Sequence, residues 1–162
     1  MKPIVSTLNR IYPANQLEAQ RARYRKAEGS FAEYFGSIGE HRFFSAPGRT
    51  EICGNHTDHN NGKVFAASVD LDVIAVAEYT EDNCITIKSE GFPEDRIDLS
   101  DLSVKEEEKN SAAALIRGVA KGFTNNGYKI GGFRAYTTSN VMKGSGLSSS
   151  AAFEVLVGTI LS

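Results

Sequence analysis

The sequence has little that marks a specialised class of protein. Its 162 residues include no tryptophan, four prolines and two cysteines, and its formal net charge at pH 7 is −2. Cys53 and Cys84 are too few for a disulfide scaffold and lack the spacing of a metal site, which favours a reducing, cytoplasmic setting. The balance of 18 basic and 20 acidic residues gives no support for partners such as nucleic acid or a membrane surface.

Long hydrophobic runs are also missing. No apolar stretch approaches the roughly 20 residues that span a bilayer, and the first residues lack the apolar core of a signal peptide. Hydrophobic residues still make up 41% of the chain, enough for one domain with a buried core. The last twelve residues form an apolar helical pattern with no polar tail, so we expect further elements to follow them in the intact protein.

Hydrophobic spacing predicts helices and strands in mixed order, after an irregular segment over residues 1–15. The predicted helices are Gln16–Phe35, with a break at Gly29 and a stop at Gly36, then Ser111–Phe123 with Ser111 as N-cap, and the segment from Leu147 onward. The predicted strands are His41–Ala46, two strands within Val64–Glu78 that reverse near Asp70 or Asp72, then Asn83–Ser89, Arg96–Leu99 and Gly132–Thr138. Strands in runs favour the α+β class.

The strongest candidate binding segment is Gly144-Ser145-Gly146-Leu147-Ser148-Ser149-Ser150, between a predicted strand and a predicted helix. Glycines let the backbone approach a ligand, and the start of the following helix suits phosphate. Serine hydroxyls donate to phosphate oxygens or bind a hard cation such as Mg²⁺. The alternatives are a Gly/Ser linker or a plain N-cap cluster, although direct continuation into an apolar helix argues against a linker.

A second segment, residues 45–62, is polar and rich in turn-forming residues. It concentrates hydrogen-bonding side chains: Arg49, Glu51, Asn55, His56, Asp58 and His59. Carboxylate, amide and imidazole groups suit a polyol, and an arginine suits phosphate oxygens or developing negative charge. A metal site and an ordinary surface loop are the alternatives, and the residue pattern leaves them open.

Other charged and reactive residues favour structural interpretations. The run Glu106–Glu108 is typical of a solvated face, and both cysteines are typical of small buried hydrophobic residues. Ser89 follows a predicted strand and precedes a glycine, which fits either a turn serine or a group that approaches a ligand.

Taken together, the two polar segments resemble a known family. The stretch from Ala46 to Asn60 resembles the galactokinase signature, and Gly144–Ala152 is similar to the second motif of the GHMP kinases, the superfamily that includes galactokinase, homoserine kinase and mevalonate kinase. The resemblance extends over about residues 31–162. It implies a GHMP-kinase N-terminal domain over 31–162, with a mixed sheet and packed helices, after an N-terminal extension or helix over 1–30, and without the C-terminal domain.

The resemblance also implies a reaction, in which ATP with Mg²⁺ phosphorylates galactose at its anomeric hydroxyl to give galactose 1-phosphate. Arg49 matches the arginine that stabilises the transition state, and Ser89 falls where the family has a nucleotide-contacting serine. The matches to sugar-binding positions are Asn55, His56, Thr57 and Asp58. The matches to the loop around the ATP phosphates are Gly144, Ser145, Gly146, Leu147, Ser148, Ser149 and Ser150, with Ser150 also a ligand of Mg²⁺.

Departures from the family pattern keep two alternatives open. Asn55 replaces a usual glutamate, Glu51 replaces a usual asparagine, and Met142 replaces a usual proline. The alternatives are a kinase for a related hexose and a non-catalytic sensor of galactose and ATP. The family's catalytic aspartate follows the phosphate loop at a distance that this chain does not reach, so we expect the chain alone to be inactive and to self-associate through exposed apolar surface.

Overall fold

The structure is a computed structural model that describes residues 2–36, 39–54, 61–142 and 144–162, with side chains from residue 6 onward. The helices and strands are α1 Lys2–Ile11, α2 Leu17–Phe35, β1 Arg42–Cys53, β2 Phe65–Thr80, β3 Cys84–Ser89, β4 Glu94–Asp98, α3 Ala112–Asn125, β5 Gly132–Ser139 and α4 Ser149–Leu161. Short 3-10 turns precede α2 and α3, at Ala14–Gln16 and Glu106–Glu108.

The described strands form one mixed sheet in the order β1-β2-β5-β3-β4. Strands β3 and β5 are parallel, and the other neighbouring pairs are antiparallel. The register pairs Pro47 with Asp72, Val73 with Ser139, and Ser89 with Thr137. The last residues of β3 and β5 therefore lie at the same end of the sheet as the middle of β1. The predicted α+β class with a mixed sheet is confirmed.

Helices cover both faces of this sheet. Side chains alternate between faces along a strand, so Val73 and Ala75 of β2 join the core under α3 and α4, whereas Ile74 and Val76 join the core under α1 and α2. All four side chains are at most 4% exposed. Burial on both faces explains why β2 has a continuous apolar run rather than an alternating one.

Several local predictions are confirmed: two residues cap helices as expected, and three strands lie close to their predicted bounds. Gly36 ends α2 with a left-handed φ of +82°, a conformation that glycine adopts without steric cost. The Ser111 hydroxyl accepts a hydrogen bond from the Ala114 N–H and so caps the start of α3. Strands β3, β4 and β5 lie within two residues of their predicted bounds.

Helix α1 and the unbroken α2 correct two predictions. Residues 2–11 are helical rather than irregular, because Pro3 lies in the first turn, where a backbone N–H has no partner within the helix in any case. Gly29 does not split α2, since a single glycine costs a helix only about 1 kcal/mol relative to alanine. The last helix begins at Ser149 rather than Leu147, because Ser148 has a left-handed φ of +57°.

The long strands β1 and β2 correct two more. Strand β1 continues through Pro47 and Gly48, because it lies at the edge of the sheet, where proline is tolerated, and its register shifts between Pro47 and Arg49 in a bulge. Strand β2 does not reverse near Asp72; the side chain of Asp72 is buried and paired with Arg23 of α2. The charged side chain of Asp72 suggested a turn, but it lies within a continuous strand.

Two side-chain predictions are also wrong. Cys53 is exposed, near the outer end of β1, and Cys84 is half-buried, so neither is a fully buried hydrophobic residue. Glu108 is not part of a solvated face, because both of its carboxylate oxygens accept hydrogen bonds from the Arg117 guanidinium, at 2.6 and 2.7 Å. Arg117 is buried and also donates to the Asp101 carbonyl, which fastens the preceding loop to α3.

Candidate active site

The bulge in β1 positions Arg49. Beyond this bulge, Arg49 pairs with Ser68 of β2, and the two strands continue as a ribbon past the end of the other described strands. The Arg49 side chain is 47% exposed, and its Nη1 lies 2.8 Å from Glu51 Oε1. An arginine held on a rigid strand with its remaining N–H donors exposed is suited to an anionic ligand.

The predicted phosphate loop precedes α4 in a conformation that depends on its glycines. Gly144 and Gly146 both have left-handed φ values, +79° and +77°. Ser145 closes the turn: its N–H and its hydroxyl both donate to the Met142 carbonyl, at 3.2 and 2.7 Å. Within the described chain no side chain caps the start of α4, so the N–H groups of its first turn and its dipole are available for phosphate oxygens.

Strand β1 and the loop are in direct contact. The Arg49 N–H donates a hydrogen bond to the Leu147 carbonyl at 3.1 Å. Gly48 makes the approach possible, since a Cβ built there would lie 3.0 Å from the Leu147 carbonyl oxygen and 3.2 Å from both Val141 methyl groups. The structure thus brings the backbone of Arg49 into contact with Leu147 of the predicted phosphate loop.

Ser89 lies at the same end of the sheet as this contact. Its hydroxyl accepts a hydrogen bond from the Thr137 hydroxyl at 2.9 Å, and the Glu90 N–H donates to the Thr137 carbonyl at 2.8 Å. Strand β5 then leads through Ser139, whose hydroxyl accepts from the Val141 N–H at 3.0 Å, into the loop. Ser89 is held near the start of the loop, and its contact with a nucleotide stays a prediction.

The predicted sugar-binding residues Asn55, His56, Thr57 and Asp58 lie outside the described residues, as does His59. The described residues on either side still define where that segment begins and ends. Gly54 has a φ of +92°, and a Cβ there would lie 2.3 Å from the Lys63 carbonyl oxygen. Residues 54 and 63 are therefore in close contact, and both ends of the segment lie at the outer end of the ribbon that carries Arg49.

The predicted loop residues differ in exposure. Gly144, Ser145, Gly146 and Ser150 are exposed, and Leu147, Ser148 and Ser149 are half-buried. Ser150 lies in the first turn of α4. In the described ranges, no group of three His, Cys, Asp or Glu residues forms a metal site, and no helix there is long and apolar enough to cross a membrane.

Sequence analysis missed a buried polar cluster around Asp72. The Asp72 carboxylate accepts hydrogen bonds from Arg23 Nη1 and Ser45 Oγ, each at 2.5 Å, and from the Tyr12 hydroxyl. Arg23 also donates to the backbone carbonyls of residues 72 and 138. The cluster joins the residue after α1 to α2, β1 and β2 immediately before the β1 bulge. The one signal for it was Asp72, the second of two aspartates at alternate positions of a mostly apolar strand.

The hydroxyl of Tyr12 stays protonated in this cluster. Burial, reinforced by the hydrogen bond to the Asp72 carboxylate, raises the pKa of Tyr12 well above the ordinary value for tyrosine. Burial likewise raises the pKa of Tyr24, whose hydroxyl lies 3.2 Å from that of Tyr12. Both side chains therefore act as neutral hydrogen-bonding groups rather than as acids.

Comparison with known proteins agrees with this geometry. Residues 29–79 match the family described as "Galactokinase galactose-binding signature". The galactokinase of Clostridium beijerinckii is 38% identical over 138 residues, which are 83% of this chain and 35% of that protein. That of Lactococcus lactis subsp. cremoris is 38% identical over 135 residues, or 81% of this chain and 33% of that protein. The chain thus spans about a third of the length of these curated relatives.

Solved structures give the same result. The Lactococcus lactis galactokinase complexed with galactose superposes with a TM-score of 0.77 at 35% identity, covering 86% of this chain and 36% of that one. The Methanococcus jannaschii mevalonate kinase superposes with a TM-score of 0.60 at 14% identity, covering 76% of this chain and 40% of that one, which shows a shared fold. The protein has the fold of the GHMP kinases.

Within that class, this chain matches the N-terminal portion of galactokinases in sequence and in fold. The resemblance inferred from the two motifs is confirmed. The division into residues 1–30 and 31–162 and the roles of individual site residues stay predictions.

Proposed function

We propose that the chain is the part of a galactokinase that holds the ATP phosphates and one side of the sugar, in a protein that transfers a phosphoryl group from ATP to the anomeric hydroxyl of galactose. The hydrogen bond from the Arg49 N–H to the Leu147 carbonyl carries this proposal. It joins the segment that resembles the galactokinase signature to the loop that resembles a phosphate-binding motif. This contact between two motifs distant in sequence supports a single shared site.

Arg49 is proposed to stabilise the charge of the transferred phosphoryl group. Phosphoryl transfer depends on positioning and on electrostatic stabilisation more than on covalent steps. The backbone of Arg49 is fixed against the loop, whereas its side chain is 47% exposed and paired with Glu51. A cation at that position offsets the negative charge of a triphosphate bound at the start of α4.

The loop Gly144–Ser150 is proposed to bind the triphosphate. Its left-handed glycines and the uncapped first turn of α4 supply N–H donors, and its serines supply hydroxyls. Ser150 is proposed to contribute one oxygen ligand to Mg²⁺, and waters and ATP phosphate oxygens would supply the others. Bound Mg²⁺ would neutralise phosphate charge during transfer.

Asn55, His56, Thr57 and Asp58 are proposed to bind the sugar, with Ser89 contacting the nucleotide. The cytoplasm is the proposed location. Because Asn55 offers an amide where a carboxylate is usual, the sugar assay includes galactose, N-acetylgalactosamine and glucose. A kcat/KM that is highest for galactose among these sugars supports the proposal. A higher kcat/KM for another hexose would show that this hexose, and not galactose, is the substrate.

The assay uses the complete gene product that contains this chain, with ADP release as the readout. Binding of galactose and MgATP without ADP release would favour a sensor rather than a kinase. Failure to bind MgATP at all would contradict the proposed phosphate loop. Ser150→Ala tests the proposed Mg²⁺ ligand. This variant is expected to need a higher Mg²⁺ concentration for half-maximal activity while its fold stays unchanged.

A further inference from the structure

The ion pair between Arg49 and Glu51 is the feature of the site that the proposed roles do not use. The two residues are separated by one position on β1, so their side chains leave the strand on the same side. Arg49 Nη1 lies 2.8 Å from Glu51 Oε1, and the Glu51 side chain is 25% exposed against 47% for Arg49. The carboxylate is therefore the better shielded partner of the pair.

The backbone around this pair leaves only the side chain of Arg49 free to move. The Arg49 N–H is bonded to the Leu147 carbonyl, and Gly48 is packed against Val141 and the same carbonyl. Pairing with Ser68 and Ala66 of β2 fixes the backbone of Arg49 and Glu51 in turn. The long arginine side chain still has several rotatable bonds, and within the described ranges Glu51 is the side chain that restrains it.

One carboxylate oxygen engages one nitrogen of the guanidinium. A guanidinium carries five N–H donors, so the remaining donors are available to an anion at the loop. Restraining a flexible cation before the ligand arrives lowers the entropy lost when it engages the reacting group. The carboxylate also cancels part of the positive charge, which weakens the attraction for ATP in the ground state.

We propose that Glu51 is a positioning residue that orients the Arg49 guanidinium towards the phosphate loop, and that it does so at the cost of weaker ATP binding. This inference rests on the proposed function of Arg49. A carboxylate that only stabilised the ribbon would affect the unfolding temperature and leave the kinetic constants alone. A positioning carboxylate moves kcat and the affinity for MgATP in different directions.

The test compares Glu51→Gln with the unchanged complete gene product. Loss of orientation is expected to lower kcat about tenfold, while loss of the negative charge lowers the KM and Kd for MgATP about threefold. Glu51→Asp keeps the charge but shortens the side chain, so it is expected to lower kcat with the affinity for MgATP unchanged. The matched control is Glu81→Gln, which removes an exposed carboxylate from the turn after β2, at the opposite end of that strand.

Equal kcat and equal MgATP affinity in Glu51→Gln and Glu81→Gln would overturn the inference, as would a fall in unfolding temperature without a kinetic effect. If the unchanged protein phosphorylates no sugar, the proposed function fails separately. Calorimetric titration with MgATP then decides the inference. Tighter binding of MgATP to Glu51→Gln than to the unchanged protein supports it, and equal affinities of the unchanged protein, Glu51→Gln and Glu81→Gln reject it.

Discussion

The backbone N–H of Arg49 donates a 3.1 Å hydrogen bond to the carbonyl of Leu147. One partner lies just after the bulge of an edge strand, and the other lies two residues before the last helix. The bond does not involve the Arg49 side chain, so substitutions at Arg49 remove the guanidinium without breaking the contact between strand and loop. This separation makes the chemistry of the site testable apart from its architecture.

Replacing Arg49 with alanine is expected to lower kcat about a thousandfold in the complete gene product, the range found for arginines that stabilise phosphoryl transfer. The secondary structure and unfolding temperature should stay unchanged, because the side chain is half-exposed and its ion partner lies on the same strand. Steady-state kinetics with galactose and MgATP measure the effect. Arg96→Ala, an exposed arginine on the opposite edge strand, is the control, and equal activities of the two variants would contradict the role of Arg49.

Gly48→Ala should damage the contact between β1 and the loop. The new Cβ would lie 3.0 Å from a carbonyl oxygen of that loop, so the loop has to shift. Overpacking of this kind costs about 1–3 kcal/mol, and the displaced loop should bind MgATP more weakly. Thermal unfolding and calorimetric titration measure the two effects.

Gly29→Ala provides the comparison for that substitution. Nothing lies within 4 Å of a Cβ at Gly29, in the middle of α2. Alanine there should raise the free energy of unfolding by up to about 1 kcal/mol. Stabilisation by both alanines would show that β1 and the loop are not closely packed.

Asp72→Ala is expected to lower the free energy of unfolding by about 3–5 kcal/mol, because it removes the buried carboxylate that pairs with the Arg23 side chain, which is only 13% exposed. Urea denaturation measures the loss. Asp70→Ala removes an exposed carboxylate two residues away on the same strand and should change stability by no more than about 0.5 kcal/mol.

A double variant, Arg23→Met with Asp72→Leu, should lose less stability than Asp72→Ala alone, since it removes both charges and fills the space with apolar groups. A larger loss in the double variant would mean that the hydrogen bonds of Arg23 to backbone carbonyls, and not the charge pair, dominate the cluster.

Glu108 should make stability depend on acidity. The hydrogen bonds from Arg117 lower the pKa of Glu108 below its ordinary value near 4.5. A depressed pKa stabilises the fold at pH values above the unfolded pKa, and this contribution is lost as the pH falls through the folded pKa. The unfolding temperature of the unchanged chain should therefore fall more than that of Glu108→Gln as the pH is lowered below about 4.5, and the two should respond alike between pH 7 and pH 5.

Glu107→Gln is the matched control, since Glu107 is exposed in the same 3-10 turn. Its pH dependence should follow that of the unchanged chain. An identical fall in the two glutamine variants would assign the acid sensitivity to other groups.

The sequence predicted those elements whose signals are local. The spacing of Leu115, Ile116, Val119 and Phe123 and the cap at Ser111 are contained in one stretch, and α3 was found within two residues of its bounds. The Gly and Ser residues of the phosphate loop likewise form one short motif. The galactokinase resemblance added the Arg49 segment, which residue pattern alone left open between a binding site and a surface loop.

The errors arose where the decisive partner is distant in sequence. Nothing near Asp72 indicates that an arginine 49 positions earlier will neutralise it in the core, so the aspartate suggested a turn. Pro47 suggested the end of a strand because its tolerance depends on β1 being an edge strand, a property of the whole sheet. The Arg49–Glu51 pair was also missed, because the predicted strand ended at Ala46 and the two residues were assigned to a turn-rich segment rather than to alternate positions of β1.

The position of β5 in the sheet has a consequence for synthesis of the protein on the ribosome. This strand lies between β2 and β3, yet it is the last of the described strands to be translated. Until it emerges, the β1–β2 hairpin and the β3–β4 hairpin each present an open backbone edge to other chains. The nascent protein therefore passes through a stage at which it is open to pairing with other chains, and a pause in translation before residue 132 would prolong it.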